Sequence, residues 1–368
     1  MKAILCLDGG SSSLKYAAYR LSERGDDLEP MAAAQAAASS DASEALTQAL
    51  AQLGLDTAKS FVAVGHRIVF GGPRLVEPTR ADTNVLHELE GFVAIEPLHL
   101  RAELDLVYAA QRCLPSAVQV LCFDTAFHRR SPAIAKKLPL PRDIDPLIER
   151  YGFHGLSYEY VLSTLPHNAK RTVIAHLGSG ASLCAVDNGA PVDSTMGFST
   201  LGGLMMGTRP GDLDPGVLLR LLQDGYDLES LSDFLYRRCG LIGVSAGCAD
   251  MKALLDKAGA NAQAREAVEL FVYQLVKHLG SMIAVLGGLE RLVFTGGIGE
   301  NAPAIRAAAC LPLRYLGVSL DEAANAQNAR IISAADSLVP VMVVPTNENL
   351  AIARHTARLL QPSIEKGL

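Results

Sequence analysis

At 368 residues the chain is too long for one ordinary hydrophobic core and suits roughly two domains. It is 49% hydrophobic and 20% charged, so it has ample material to bury, and its formal net charge of −6 offers no basic stripe; nucleic acid and anionic membrane are therefore excluded as expected partners. Seven cysteines, an odd number with no Cys-x-x-Cys pair and scattered through apolar surroundings, predict reduced, mostly buried thiols in a cytoplasmic protein.

The first elements form a hairpin. Ala3 to Leu7 reads as a strand, Asp8-Gly9-Gly10-Ser11 as a tight turn, and the residues from Ser13 as a second strand in which Leu14, Tyr16 and Ala18 alternate with Lys15, Ala17 and Tyr19. The opening apolar run is too short for a signal segment and is closed by Asp8, and no uninterrupted apolar run reaches membrane-spanning length. Glycines let backbone N–H groups converge on an anion, and the hydroxyls of Ser11 and Ser13 with the ammonium of Lys15 add donors suited to phosphate oxygens. Asp8 would repel a phosphate unless a divalent cation sat between them, and Mg²⁺ held by a carboxylate and phosphates is the usual solution. An ordinary Gly/Ser hairpin bonded to its own backbone is the alternative.

Beyond it, Leu21 to Ser43 reads as an edge strand or surface linker, Ser43 to Gly54 as a helix, and Phe61 onward as a buried strand delivering Arg67 at its end. Arg67 is a site candidate, with a surface cap as the competing reading. Glu88 to Leu106 reads as mostly helical with a break at Pro97. Val118 to Phe123 is a buried strand that delivers Asp124, a site candidate or a helix N-cap. The prolines between Pro132 and Pro146 predict an irregular connection leading to Arg150-Tyr151-Gly152-Phe153-His154-Gly155. His154 by itself suits either a packed structural role or chemistry.

Thr172 to Gly189 then repeats the first hairpin: Gly178, Ser182 and Leu183 match Gly9, Ser13 and Leu14. Two such hairpins, one per domain, are what a nucleotide cleft between duplicated halves requires. Thr208-Arg209-Pro210-Gly211-Asp212 is a tight polar turn with a second arginine, and the helix-rich stretch Gly216 to Gly288 ends in an amphipathic run from Ala262 to Val285. Strand Arg291 to Thr295 leads into Gly296-Gly297-Ile298-Gly299-Glu300-Asn301, whose glycines argue for close backbone approach to a nucleotide. It is not G-x-G-x-x-G, and no G-x-x-x-x-G-K-[ST] occurs, so P-loop NTPases are excluded at the motif level. A strand over Val339 to Val344 precedes Thr346-Asn347-Glu348 and a helix from Leu350.

Taken in order, DGGSSSLKY, GHRIVFGG, EPLH, FDTAFH, RYGFHG, AHLGSGASL, MGFSTLGGLMMGTRPGDLDPG, FTGGIGEN and TNENLAIARHT resemble the acetate kinase family over nearly the whole length. The resemblance implies an α/β fold of duplicated actin-like (ribonuclease H-like) domains with a central nucleotide cleft. Residues 1–125 with the helix 349–368 would form the first domain and 126–348 the second. It implies that Arg67 and Arg209 hold the substrate carboxylate and the transferring phosphoryl group, that Asp124 positions or deprotonates the carboxyl nucleophile, and that His154 stabilises the transition state. It places Mg²⁺, with Mn²⁺ as a substitute, on Asp8 and Glu348. Phosphates of ATP or ADP would meet Ser11, Ser13, Lys15 and the loop His176, Leu177, Gly178, Ser179, Gly180. The adenosine side falls on Asp250, Met251 and Lys252 and on Gly297, Ile298, Gly299, Glu300 and Asn301, and the acyl methyl pocket on Val69, Leu98, Phe153 and Thr200.

The chain departs from the family pattern in carrying Asp8 and Ser179 for Asn, Lys252 for Arg, Met251 for an aromatic residue, Gly202 for Glu and Thr200 for Pro. The expected activity is reversible transfer of a phosphoryl group from ATP to acetate, with propionate as the alternative substrate and a homodimer as the expected assembly. An ATP-gated interaction protein of the actin/Hsp70 kind is the reading from another class. It would need no Arg67 and Arg209 pair.

Overall fold

The computed structural model of the chain describes residues 2–9, 13–22, 28–37, 41–53, 61–166 and 168–361. The chain divides into two units, one of Met1–Arg129, His154–Tyr160 and Asn347–Leu368, the other of Arg130–Phe153 and Val161–Thr346.

The first unit is built on strands β1 (Ala3–Gly9), β2 (Ser13–Leu21), β3 (Leu28–Ala37), β4 (Phe61–Ile68), β5 (Thr79–Arg80) and β6 (Val118–Phe123), in the order β3-β2-β1-β4-β6-β5. The first three pair antiparallel, and β1, β4 and β6 run parallel. Alternation along β1 sorts its side chains onto two cores. Ala3, Leu5 and Leu7 join Leu14, Tyr16 and Ala18 in one, beneath helices Ala42–Gln52 and Leu100–Cys113. Ile4 and Cys6 join Ala17, Val120 and Cys122 in the other, beneath the C-terminal helix Glu348–Leu360. That helix lies so close to β4 that a Cβ on Gly65 would fall 2.3 Å from Thr356 Oγ1.

The second unit is built on β7 (Arg171–Leu177), β8 (Ala181–Asp187), β9 (Ala190–Ser194), β10 (Arg291–Thr295) and β11 (Val341–Val343), in the order β11-β10-β7-β8-β9. Its antiparallel trio followed by parallel β10 and β11 repeats the scheme of β1, β2, β3, β4 and β6. The molecule is therefore an α/β protein with a duplicated sheet design.

Four expectations are corrected. Asp8 and Gly9 belong to β1, paired with Lys15 and Leu14, because ladder hydrogen bonds continue past the last apolar residue. The single broken helix over Glu88 to Leu106 is two helices, Thr83–Glu90 capped by Asp82 and Leu100–Cys113, with turns around Pro97. The last strand is confined to Val341–Val343, and the proline-rich connection contains one 3₁₀ turn, Ala133–Lys136. Helix Ala262–Leu286 is long and apolar enough to cross a membrane by length and composition, although charges interrupt it. Its residues Ala264, Ala267, Phe271, Leu275, Leu279, Met282 and Ile283 are buried, and it packs on β7, β8 and β9. It ends on Gly287 in the left-handed conformation, the usual C-terminal signal.

All seven cysteines are free; Cys6, Cys122, Cys184 and Cys310 are buried, whereas Cys113 is exposed.

Candidate active site

In the first unit, the carboxyl ends of β1, β4 and β6 bring Asp8, Arg67 and Asp124 together, which is where open α/β sheets gather ligands. Asp124 Oδ2 accepts from Arg67 Nη2 at 2.6 Å and from Nε at 2.9 Å. Arg67 Nη1 donates to Glu103 Oε1 at 3.2 Å, and Asp8 Oδ1 lies 3.7 Å from Arg67 Nε. The Arg67 side chain is only 11% exposed, so it is no surface cap, and Asp124 is bonded to it through Oδ2. A guanidinium has five N–H donors. The hydrogen bonds to Asp124 and Glu103 use three of them, leaving two.

Glu348, the first residue of the C-terminal helix, lies within hydrogen-bonding reach of Asp8. Asn347 caps that helix through the Leu350 N–H, which fixes where Glu348 starts it. So many buried carboxylates perturb one another. Burial, reinforced by the charge of Glu348, pushes the Asp8 carboxyl up to about 6, and burial, with smaller contributions from Asp124 and Glu96, outweighs Arg67 to push Glu103 up to about 8. Burial likewise raises Asp124 and Glu348 against the pull of Arg67. Burial would lower the Arg67 guanidinium, but Asp124, Asp8, Glu103 and Glu348 together hold it well above its usual range.

His154 sits with positive φ, at 57°, immediately before helix Gly155–Thr164. The close approach is enforced next door, where a Cβ on Gly155 would lie 2.2 Å from the Asp124 carbonyl oxygen, so His154 is held beside the Asp124 backbone. Lys15 stands opposite Asp8 in the β1–β2 register. Ser11 and the side chain of Ser13 lie outside the described residues. Val69 is buried and Leu98 half-buried in this unit.

In the second unit, the turn after β7 is closed by the Gly178 N–H donating to the Gly180 carbonyl, with His176 and Leu177 at the strand end and Ser179 exposed at the tip. Three predicted nucleotide elements meet here. Gly207 donates to the Ser179 carbonyl, a Cβ on Gly207 would lie 3.6 Å from the Ala249 carbonyl oxygen beside Asp250, and one on Gly178 would lie 3.9 Å from Gly297 N. Gly296, at φ 77°, has no room for a Cβ, which would fall 2.8 Å from the Leu177 carbonyl oxygen. The glycine-rich segment is a short helix, Gly296–Asn301, in which Glu300 accepts from the Gly296 N–H and Asn301 donates to the Gly297 carbonyl, while Glu300 also accepts from the Thr346 N–H. Asp250 caps helix Met251–Lys257 through Ala253 N, Met251 is buried, and exposed Lys252 pairs with Asp256 at 3.1 Å. Arg209 is buried, its Nη1 donating to the Thr200 carbonyl at 2.9 Å; Thr200 and Phe153 are buried as well.

Two residues of consequence escaped the sequence reading. Glu103 receives Arg67, as above. Arg306, fully buried, donates to the carbonyls of Gly299 and Glu300 and to Asn325 and Asn328, pinning the end of the glycine-rich helix. Both carry the same signal, a charge on the apolar face of a short amphipathic helix, beside Leu100, Leu104 and Val107 in one case and Ile305, Ala309 and Cys310 in the other.

As for a metal, Asp8 and Glu348 are hard oxygen donors within reach of each other, and Asp124 Oδ1 is buried with no hydrogen-bond partner. Among the described residues no three His, Cys, Asp or Glu side chains are grouped to hold an ion alone. This donor set fits Mg²⁺, which binds through one or two carboxylates and completes its shell with water and substrate phosphates.

The profile of the acetokinase family matches residues 22–354. The acetate kinase of Nitrobacter hamburgensis is 43% identical over 392 aligned residues, covering 98% of this chain and 96% of the relative. That of Rhodopseudomonas palustris strain TIE-1 is 47% identical over 307, covering 81% and 77%. Among solved structures, a propionate kinase from Francisella tularensis matches with a TM-score of 0.86 at 30% identity, covering 96% of this chain and 99% of that one. The acetate kinase of Porphyromonas gingivalis matches with a TM-score of 0.84 at 31% identity, covering 98% and 100%.

Proposed function

The chain belongs to the acetokinase family, and from that premise we propose that it catalyses reversible, Mg²⁺-dependent phosphoryl transfer between ATP and acetate, giving acetyl phosphate and ADP. The observation that carries this reading is Arg67: a guanidinium only 11% exposed and held by Asp124 and Glu103, with two N–H groups left for a third carboxylate. Acetate is ionised at neutral pH and needs no strong base, so Asp124 orients Arg67 and the acid. Phosphoryl transfer depends on positioning and on neutralising the equatorial oxygens. Arg209 and His154 are assigned to those oxygens, Lys15 and the His176–Gly180 turn to the nucleotide phosphates, and Asp250–Lys252 with Gly297–Asn301 to the adenosine side. Asp8 and Glu348 would hold the Mg²⁺ ion, which neutralises phosphate charge when bound. Val69, Leu98, Phe153 and Thr200 are assigned to the acyl pocket.

Propionate is the second reading, favoured by the match to a propionate kinase structure. One methylene is worth only about 1–3 kcal/mol in such a pocket, so kcat/KM for the two acids must be compared directly. The decisive assay traps acyl phosphate with hydroxylamine in the presence of MgATP and each acid; absence of hydroxamate with either would end the acyl kinase reading. Exposed apolar residues on helices of the second unit, among them Leu219, Leu222 and Tyr273, support a homodimer, and the free thiols suit the cytoplasm.

A further inference from the structure

Glu103 is a charged residue where packing asks for an apolar one. It sits on the inner face of helix Leu100–Cys113, between Leu100 and Leu104, and is 2% exposed. An apolar side chain there would avoid the desolvation that pushes this carboxyl up to about 8. Its two oxygens do different things. Oε1 accepts from Arg67 Nη1 at 3.2 Å, whereas Oε2 accepts from the Val69 backbone N–H at 2.8 Å. Val69 follows β4 directly and is buried. One rigid carboxylate thus ties the guanidinium that would grip the acid's carboxylate to the backbone of the residue that would wall its alkyl end.

We propose that Glu103 is a positioning residue that sets acid specificity, by fixing the spacing between the Arg67 anchor and the Val69 wall. The proposal rests on the acyl kinase reading. Asp124 alone holds Arg67 along its Nε–Nη2 edge, about which the guanidinium is still free to tilt; Glu103 stops the tilt at Nη1. Because the same carboxylate holds Val69, tilt and pocket depth are coupled.

The experiment measures KM and kcat for acetate, propionate and ATP in the full chain and in Glu103→Gln and Glu103→Ala, with thermal melts with and without MgATP. In Glu103→Gln the amide oxygen keeps the Val69 bond while the amide NH₂ faces Arg67 donor to donor. KM is expected to rise about tenfold for both acids and the propionate-to-acetate ratio of kcat/KM to shift by about twofold or more, with KM for ATP within about twofold of the parent. Glu103→Ala releases both contacts, and that ratio is expected to shift by about threefold or more as well. A glutamine variant with unchanged acid KM or an unchanged propionate-to-acetate ratio of kcat/KM, or a uniform loss of kcat in both variants that tracks a lower melting temperature, would overturn the proposal. Glu103→Gln is nearly isosteric, so the proposal stays testable if the alanine variant does not fold. A parent chain that forms no acyl hydroxamate would instead defeat the underlying kinase reading.

Discussion

Arg67 is surrounded by more carboxyl groups than one guanidinium can neutralise, with Asp124, Asp8, Glu103 and Glu348 all acting on it. Arg67→Ala would leave buried carboxylates unpaired, a change that typically costs about 3–5 kcal/mol. The pH dependence has a definite sign. Glu103 and Asp8 are raised to about 8 and about 6 in the folded state, so the fold holds protons that the unfolded chain releases, and stability falls as pH rises through that window. Without Arg67 the slope steepens; denaturant unfolding at pH 5.5 and 8.5 should show the variant's deficit shrinking in acid. His66 runs the other way. Buried and bonded to Gln119 at 2.8 Å, it is lowered to about 4 by burial, so the unfolded chain takes up a proton that the fold refuses between its ordinary value and 4. Stability is therefore lost as pH falls through that range, by up to about 1.4 kcal/mol per unit, and His66→Gln should flatten this acid limb in unfolding titrations. The proposed function assigns Arg209 to the chemistry. Arg209→Ala is expected to lower kcat by about 10³-fold or more while MgATP still raises the melting temperature; near-normal turnover would remove it from the transition state.

Elements carry the site through contacts too close for side chains. Gly65 lets helix Glu348–Leu360 press on β4, and since Glu348 begins that helix, the packing fixes one carboxylate of the proposed metal pair. Gly65→Ala would set a methyl 2.3 Å from Thr356 Oγ1 and 2.5 Å from Ile352 Cγ2. A loss of about 1–3 kcal/mol is expected from such overpacking, together with weaker Mn²⁺ binding measured by paramagnetic relaxation. The hairpins, the parallel strands and the glycine-rich segment were legible because period-two patterns and glycine clusters are local signals. The helix limits around Pro97 and the extent of β1 were not, because a helix cap and a ladder hydrogen bond depend on partners the local pattern does not name.

At the scale of the molecule, one sheet plan is used twice. Leu219, Leu222 and Tyr273 remain exposed on helices of the second unit. If they form the proposed dimer contact, Leu219→Glu together with Tyr273→Glu should yield monomers in sedimentation velocity without loss of helical circular dichroism; an unchanged dimer would place the interface elsewhere. By itself the sequence determined the duplicated α/β plan and the family, and it put Arg67 and Asp124 at strand ends as candidates, since motif order and strand-end positions are written in neighbouring residues. Only the tertiary structure decided what Glu103 and Arg306 are bonded to. A charge on an apolar helix face means nothing until the partner that neutralises it is known, and those partners, Arg67 in one case and the carbonyls of the glycine-rich helix in the other, are brought to it by the fold.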